Sequence, residues 1–351
     1  MSVASSITTP DFACSLVRHP LDTALYVCGQ YHLEEPDEEE EGASDGKQEE
    51  SKGEQTRTGA LTGYKMTASG IIQVFHEKLP HGVLSAVWNP GAGQQLAVAL
   101  SSGGVMVADV DEEGINEVTR VSAPAPPNTS GPCTDLAFLG AGKNLLASYT
   151  SGSFVIFTCP TMVPLGTVAA HKFPFASAPA ETWTIACDAN DMIFTGGDDG
   201  SLKVWNYYTI LEQYDGDEEL ITAVKPEVVL KDFDAGVTVV RTIKSGADGA
   251  TRLLVGSYDE TVTCIDFDVD RITKVWKVEA GGGVWRFAMH EDETRVLVGA
   301  MYGGACVLDV ESGEQIDGMF EEHESMVYGA AWFGSLKLTC SFYDRQLIMW
   351  D

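Results

Sequence analysis

The side chains with chemistry to offer in this chain are aromatic, acidic and imidazole groups that recur in step. Trp183, Trp285 and Tyr328 each take the second place of a short strand-like run, and Asp198, Tyr258 and Tyr343 each stand immediately before an Asp in a polar turn. Aromatic faces attract a cation through the ring quadrupole and carboxylates add charge attraction, so these six together could hold a quaternary ammonium or another soft cation. The same aromatics could instead cap a channel or anchor a protein partner. His171 and His323 follow a second spacing. Each precedes a strand-ending tryptophan, Trp205 or Trp350, and Asp199 and Asp344 lie six residues before those tryptophans. With Thr195 added to the first set, such groups satisfy one another when buried and stiffen the unit that holds them.

The elements that must position these residues are repeated strands. An apolar run, then Gly or Ser, then a short polar turn and a second β-branched run ending near an aromatic recurs in FTGGDDGSLKVWN from Phe194, GSYDE from Gly256 and SFYDRQLIMWD ending at Asp351. A period of roughly 40 to 45 residues built this way is the four-stranded blade of a WD-repeat propeller. Turns after the second strand are expected at Gly29, Ser101, Thr150, Asp198, Tyr258, Tyr302 and Tyr343, giving an all-β, seven-bladed propeller over residues 1–351 as a single domain. The first strand of each blade lines the central channel, which puts Trp183, Trp285 and Tyr328 around one mouth. The N-terminal SVASSITTP is expected to supply the outermost strand of the last blade, leaving no open edge at the seam. Residues 34–58 lack any apolar run and read as a disordered acidic insertion in the first blade, which could be removed without loss of folding.

Composition narrows the partners. The net charge is −30, and eleven acidic against three basic residues in 34–58 account for −8 of it, leaving −22 elsewhere. So acidic a surface repels nucleic acid and anionic membranes and favours a cationic partner or substrate, although it also simply promotes solubility. No run of about 18 apolar residues offers a membrane span, and the N-terminal stretch lacks the pattern of a secretory leader. The eight cysteines include no C-x-x-C pair and read as reduced thiols of a cytoplasmic protein. Gly42 to Gly46 match the letters of a serine nucleophile elbow but lie in the acidic insertion, without the strand and helix the motif needs. His76 and His81 flank Pro80, which forbids the helical spacing of a zinc pair, so no metal is expected.

The order and spacing of FTGGDDGSLKVWN, GSYDETVTCIDFD, GGGVWRFAMH, VYGAAW and SFYDRQLIMWD resemble the WD-repeat diphthine methylesterases of the diphthamide pathway, called diphthine methyltransferases in older usage. The resemblance runs from about Ala169 to Asp351. It departs at Ile265, where the pattern has Trp, and at the Glu-rich insertion. It implies hydrolysis of the methyl ester of methylated diphthine, a histidine carrying a 3-carboxy-3-(trimethylammonio)propyl group, on translation elongation factor 2. Neither a cofactor nor a partner copy is implied. For that reaction, water activated by His323 or His171 and oriented by Asp344 or Asp198 is the expected nucleophile. Arg286 or the backbone amides of Gly281, Gly282 and Gly283 would receive the oxyanion, and Trp183, Tyr258, Trp285, Tyr328 and Tyr343 would form the cation cage. Arg286 could also serve as a blade-to-blade salt bridge. The alternative from another class is a non-catalytic scaffold, the commonest use of such propellers.

Overall fold

The computed structural model describes residues 2–33, 57–176, 178–214, 220–221, 224–244 and 250–351. Seven sheets follow one another along the chain, antiparallel among the described residues except where Leu220–Ile221 adds in parallel to the edge of the third. The first contains Phe12–Arg18, Leu25–Leu33, Arg57–Thr67 and Gly70–Leu79. The second is built on Val83–Trp88, Gln95–Leu100 and Val105–Asp111, and the third on Cys133–Leu139, Asn144–Tyr149, Ser153–Thr158 and Pro164–Ala169. Thr182–Cys187, Met192–Gly197, Ser201–Asn206 and Val228–Leu230 form the fourth. Val237–Lys244, Thr251–Ser257, Thr261–Asp268 and Arg271–Glu279 form the fifth. The sixth has three strands, Arg286–Met289, Arg295–Gly299 and Ala305–Asp309, with single bridges from Phe320 to Ala305 and Gln315 to Leu308 in place of a fourth.

The seventh sheet joins the two ends of the chain. Val3–Thr8 pairs with Gln346–Trp350 outside Leu336–Ser341 and Val327–Phe333, as expected for SVASSITTP. The first strand of every sheet packs on that of the next, and the seventh packs on the first, so the ring is closed. Among the described residues a buried apolar cluster lies at each of the seven junctions; Val255 and Phe194 meet at one, and Trp332 and Leu297 at another. This explains the strand patterns. Inner strands such as Met192–Gly197 are buried along their whole length because sheets cover both faces, whereas the outermost Arg271–Glu279 is largely exposed.

Two expectations change. Gly29 lies inside Leu25–Leu33 and makes no turn, because that strand continues to Leu33, where residues 34–56 are inserted. Arg57 and Thr58 belong to the next strand, paired with Leu33 and His32, so the insertion ends at 56; residues 34–56 themselves lie outside the described residues. All eight cysteines are free thiols. No helix among the described residues is long and apolar enough to cross a membrane.

Candidate functional site

One backbone device builds the mouth of the channel. In six of the seven first strands the ladder skips a residue near the start, between Ala13 and Ser15, Val83 and Ser85, Cys133 and Asp135, Thr182 and Thr184, Val237 and Val239, and Val327 and Gly329. Each skip is a β-bulge, which turns the extra side chain out of the pleat. The extra residues are Cys14, Leu84, Thr134, Trp183, Thr238 and Tyr328. In the sixth blade Trp285 takes the matching place, donating its N–H to Gly299 O at 2.8 Å just ahead of the ladder. All of these except Thr238 line a single pocket of about 380 Å³. Thr238 instead donates its hydroxyl to backbone carbonyls, including that of Val284.

The five aromatics expected at this mouth, Trp183, Tyr258, Trp285, Tyr328 and Tyr343, all line the pocket. Ring centroids stand 5.8 Å apart for Trp183 and Trp285, 6.3 Å for Trp183 and Tyr258, 5.9 Å for Tyr258 and Trp285, and 5.1 Å for Trp285 and Tyr328. Burial pushes the Tyr328 hydroxyl up to about 12 and raises Tyr258 as well, so both phenols remain neutral at physiological pH. Tyr31, Leu33 and Phe342 also line the pocket and were missed from sequence. Phe342 had left a signal: it is a large ring two residues before the turn Asp, where blades four and five have Gly197 and Ser257. Asp198 stands beside the lining, its Oδ1 accepting from Trp183 Nε1 at 3.3 Å.

Neither histidine reaches this mouth. The His171 side chain is fully buried, with Nδ1 2.8 Å from Asp199 Oδ1 and Nε2 2.9 Å from Thr195 Oγ1, which also accepts from Trp205 Nε1 at 2.9 Å. Gly197 leaves room for the ring, since a Cβ there would lie 2.4 Å from His171 Cγ. Burial lowers the His171 pKa more than Asp199 raises it, so the ring is neutral: Nδ1–H donates to the carboxylate and Nε2 accepts from the threonine hydroxyl. Burial raises the Asp199 carboxyl, but His171, Ser201 and Lys203 outweigh it and hold it well below the usual carboxylate range. The seventh blade repeats the set. His323, again fully buried, meets Asp344 at 3.3 Å and Thr339 at 2.8 Å, and Trp350 donates to Thr339. With both ring nitrogens engaged inside a blade, His171, His323 and Asp344 are braces, and the water-activating role expected of them is withdrawn.

Gly281, Gly282 and Gly283 do not line the pocket either. A Cβ on Gly282 would lie 2.3 Å from Ala300 O, so these glycines let the chain pass close to a neighbouring hairpin turn. Arg286 does border the site from the channel side. Its Nη2 donates to Leu84 O at 3.3 Å, its guanidinium carbon lies 5.8 Å from the Trp285 ring centroid, and Nη1 is 3.6 Å from Asp135 Oδ1 across the channel. The salt-bridge role and a place next to the pocket therefore coexist in one side chain.

The family model described as WD domain, G-beta repeat matches residues 164–206, the last strand of the third blade and the three inner strands of the fourth. A diphthine methyltransferase homolog of Dictyostelium discoideum is 25% identical over 95% of this chain and 94% of its own length. The diphthine methyltransferase of Schizosaccharomyces pombe is 27% identical over 77% and 78%, and that of Saccharomyces cerevisiae 29% identical over 48% of each chain. Among solved structures, a chain of the mitotic checkpoint complex crystal structure superimposes with a TM-score of 0.68 over 99% of this chain and 94% of its own, at 13% identity, a likeness of fold alone. Bulge, pocket and blade braces are those of a WD-repeat propeller, and over most of its length the chain is similar to diphthine methyltransferases.

Proposed function

We propose that this protein is a carboxylic ester hydrolase that removes the methyl group from methylated diphthine on translation elongation factor 2, giving diphthine and methanol within diphthamide biosynthesis. The observation that carries the reading is the single pocket formed by Trp183, Tyr258, Trp285, Tyr328 and Tyr343. A trimethylammonium group is a soft cation with no hydrogen-bond donor, and aromatic faces hold it without requiring one. In the reaction a water oxygen bonds to the ester carbonyl carbon, and the bond from that carbon to the methoxy oxygen breaks. One water proton leaves with methanol and the other passes to a base. Asp198, joined to the lining through Trp183, is the carboxylate we assign as that base, and Arg286 is the donor for the oxyanion.

The test is methanol release, with loss of one methyl mass, when the purified chain is mixed with elongation factor 2 bearing methylated diphthine. Release at catalytic protein concentration, lowered about a hundredfold or more by Asp198→Asn, supports the assignment. In a parallel incubation of the chain with unmethylated factor and a sulfonium methyl donor, a gain of one methyl mass would make the protein a transferase, as the names of its relatives read. Binding of the factor with no change in mass would move the propeller to the scaffold class.

A further inference from the structure

We propose that Arg241 and Arg286 form a carboxylate-binding site in the central channel next to the aromatic pocket, so that pocket and channel together grip a trimethylammonium and the carboxyl group attached beside it. The inference rests on the cation-cage reading and extends it to the other half of the ligand. The two arginines come from the first strands of neighbouring blades and border a cavity of about 40 Å³ with Ser15 and Ser85. That volume admits a water or a group of similar size.

Their charges are unbalanced. Among the described residues Asp135 is the carboxylate facing them, and it is already engaged: Oδ1 accepts from Ser85 Oγ at 2.8 Å, Oδ2 accepts from Thr184 Oγ1 at 2.9 Å, and Arg286 stands at 3.6 Å. Among the described residues no carboxylate lies within 4.0 Å of the Arg241 guanidinium. Burial lowers the Arg241 pKa; Asp135 works against that shift and the like charge of Arg286 with it. Two guanidiniums against one carboxylate leave a surplus positive charge inside a chain of net charge −30. Arg286 is buried and Arg241 half-buried, so the surplus charge is partly withdrawn from water, and an arginine fork is shaped to offset that cost with a carboxylate.

Proximity connects this site to the pocket. Arg286 touches Leu84 and stands over Trp285, and both of these line the aromatic pocket. In the diphthine side chain the trimethylammonium and the carboxyl are bonded to the same carbon atom, so a ligand whose cation sits among the rings has its carboxyl within reach of the channel. An ester offers the arginines only a carbonyl oxygen, whereas the tetrahedral oxyanion and the product carboxylate offer a full charge. The site therefore favours the charged states over the substrate ester.

Calorimetry on the full chain with tetramethylammonium, choline and glycine betaine separates the two halves. Wild type is expected to bind betaine roughly tenfold more tightly than choline, the size of a charge-assisted hydrogen bond. Arg241→Gln should bring betaine down to the level of choline while leaving choline unchanged, with Arg241→Lys between the two. Equal binding of betaine and choline by wild type would overturn the proposal without any variant having to fold, as would an unchanged ratio in Arg241→Gln. Failure of wild type to bind any of the three would remove the cation cage, and this inference with it.

Discussion

Trp285 stands within 6 Å of the ring centroids of Trp183, Tyr258 and Tyr328 and of the Arg286 guanidinium carbon, so it is the residue through which cage and channel meet. Replacing it by Ala removes one face of the cage. At about 0.5 to 2 kcal/mol for a cation over a ring, the dissociation constant for tetramethylammonium should rise about twofold to thirtyfold by calorimetry. His171 and His323 should behave differently. Asn in place of His171 leaves Asp199 and Thr195 short of a partner, at a cost of about 1 to 3 kcal/mol, visible in denaturant melts and absent from ligand binding. The pH dependence carries a further mark. Burial puts the folded His171 pKa below its ordinary 6.5, so the unfolded chain binds the proton first and stability falls as pH drops below 6.5. Asp199 is depressed below 3.8, and its contribution persists above that value and is lost only in stronger acid. Melts between pH 7 and pH 4.5 should therefore decline less steeply for His171→Asn than for the wild type.

At the scale of elements, the bulge in each first strand decides what faces the mouth, and the turn after each second strand decides what rims it. In the first blade that turn is replaced by the insertion, which leaves the chain at Leu33, itself a pocket residue, and returns at Arg57. Replacing residues 34–56 with a short turn should leave the thermal transition within about 2 °C of the full chain, since ladder pairing is complete without them. Removing 34–58 also takes away the partners of Leu33 and His32, and that deletion should melt measurably lower. Identical melts for the two deletions would mean that the top of this strand pair contributes nothing.

For the whole molecule, stability depends on closure. Val3–Thr8 carries the start of the chain into the last sheet, and without it Gln346–Trp350 becomes an open edge. Truncating residues 2–8 should lower the melting temperature by the order of 10 °C, given about 1 kcal/mol per lost hydrogen bond, and should shift size-exclusion profiles toward aggregates. Charge also acts at this scale. A chain of net charge −30, −22 of it outside residues 34–58, attracts cationic substrates over distances that salt shortens, so kcat/KM on a protein substrate should fall several-fold between 0.05 and 0.5 M salt while kcat changes little. A rate indifferent to salt would assign the acidity to solubility alone.

Strand periodicity and the recurring turn determined the seven blades, the closing N-terminal strand and five of the aromatic pocket residues, because repeats of one unit must bury the same faces and expose the same ends. Spacing also exposed the His, Asp, Thr and Trp sets, but it could not say which side of the blade their rings face. Only the tertiary structure showed both histidines sealed inside their blades, since that depends on the sheet packed against them. Tertiary structure alone also brought Arg241, Arg286 and Asp135 together, because they lie on blades five, six and three, and meet only where the closed ring turns its first strands toward a common axis.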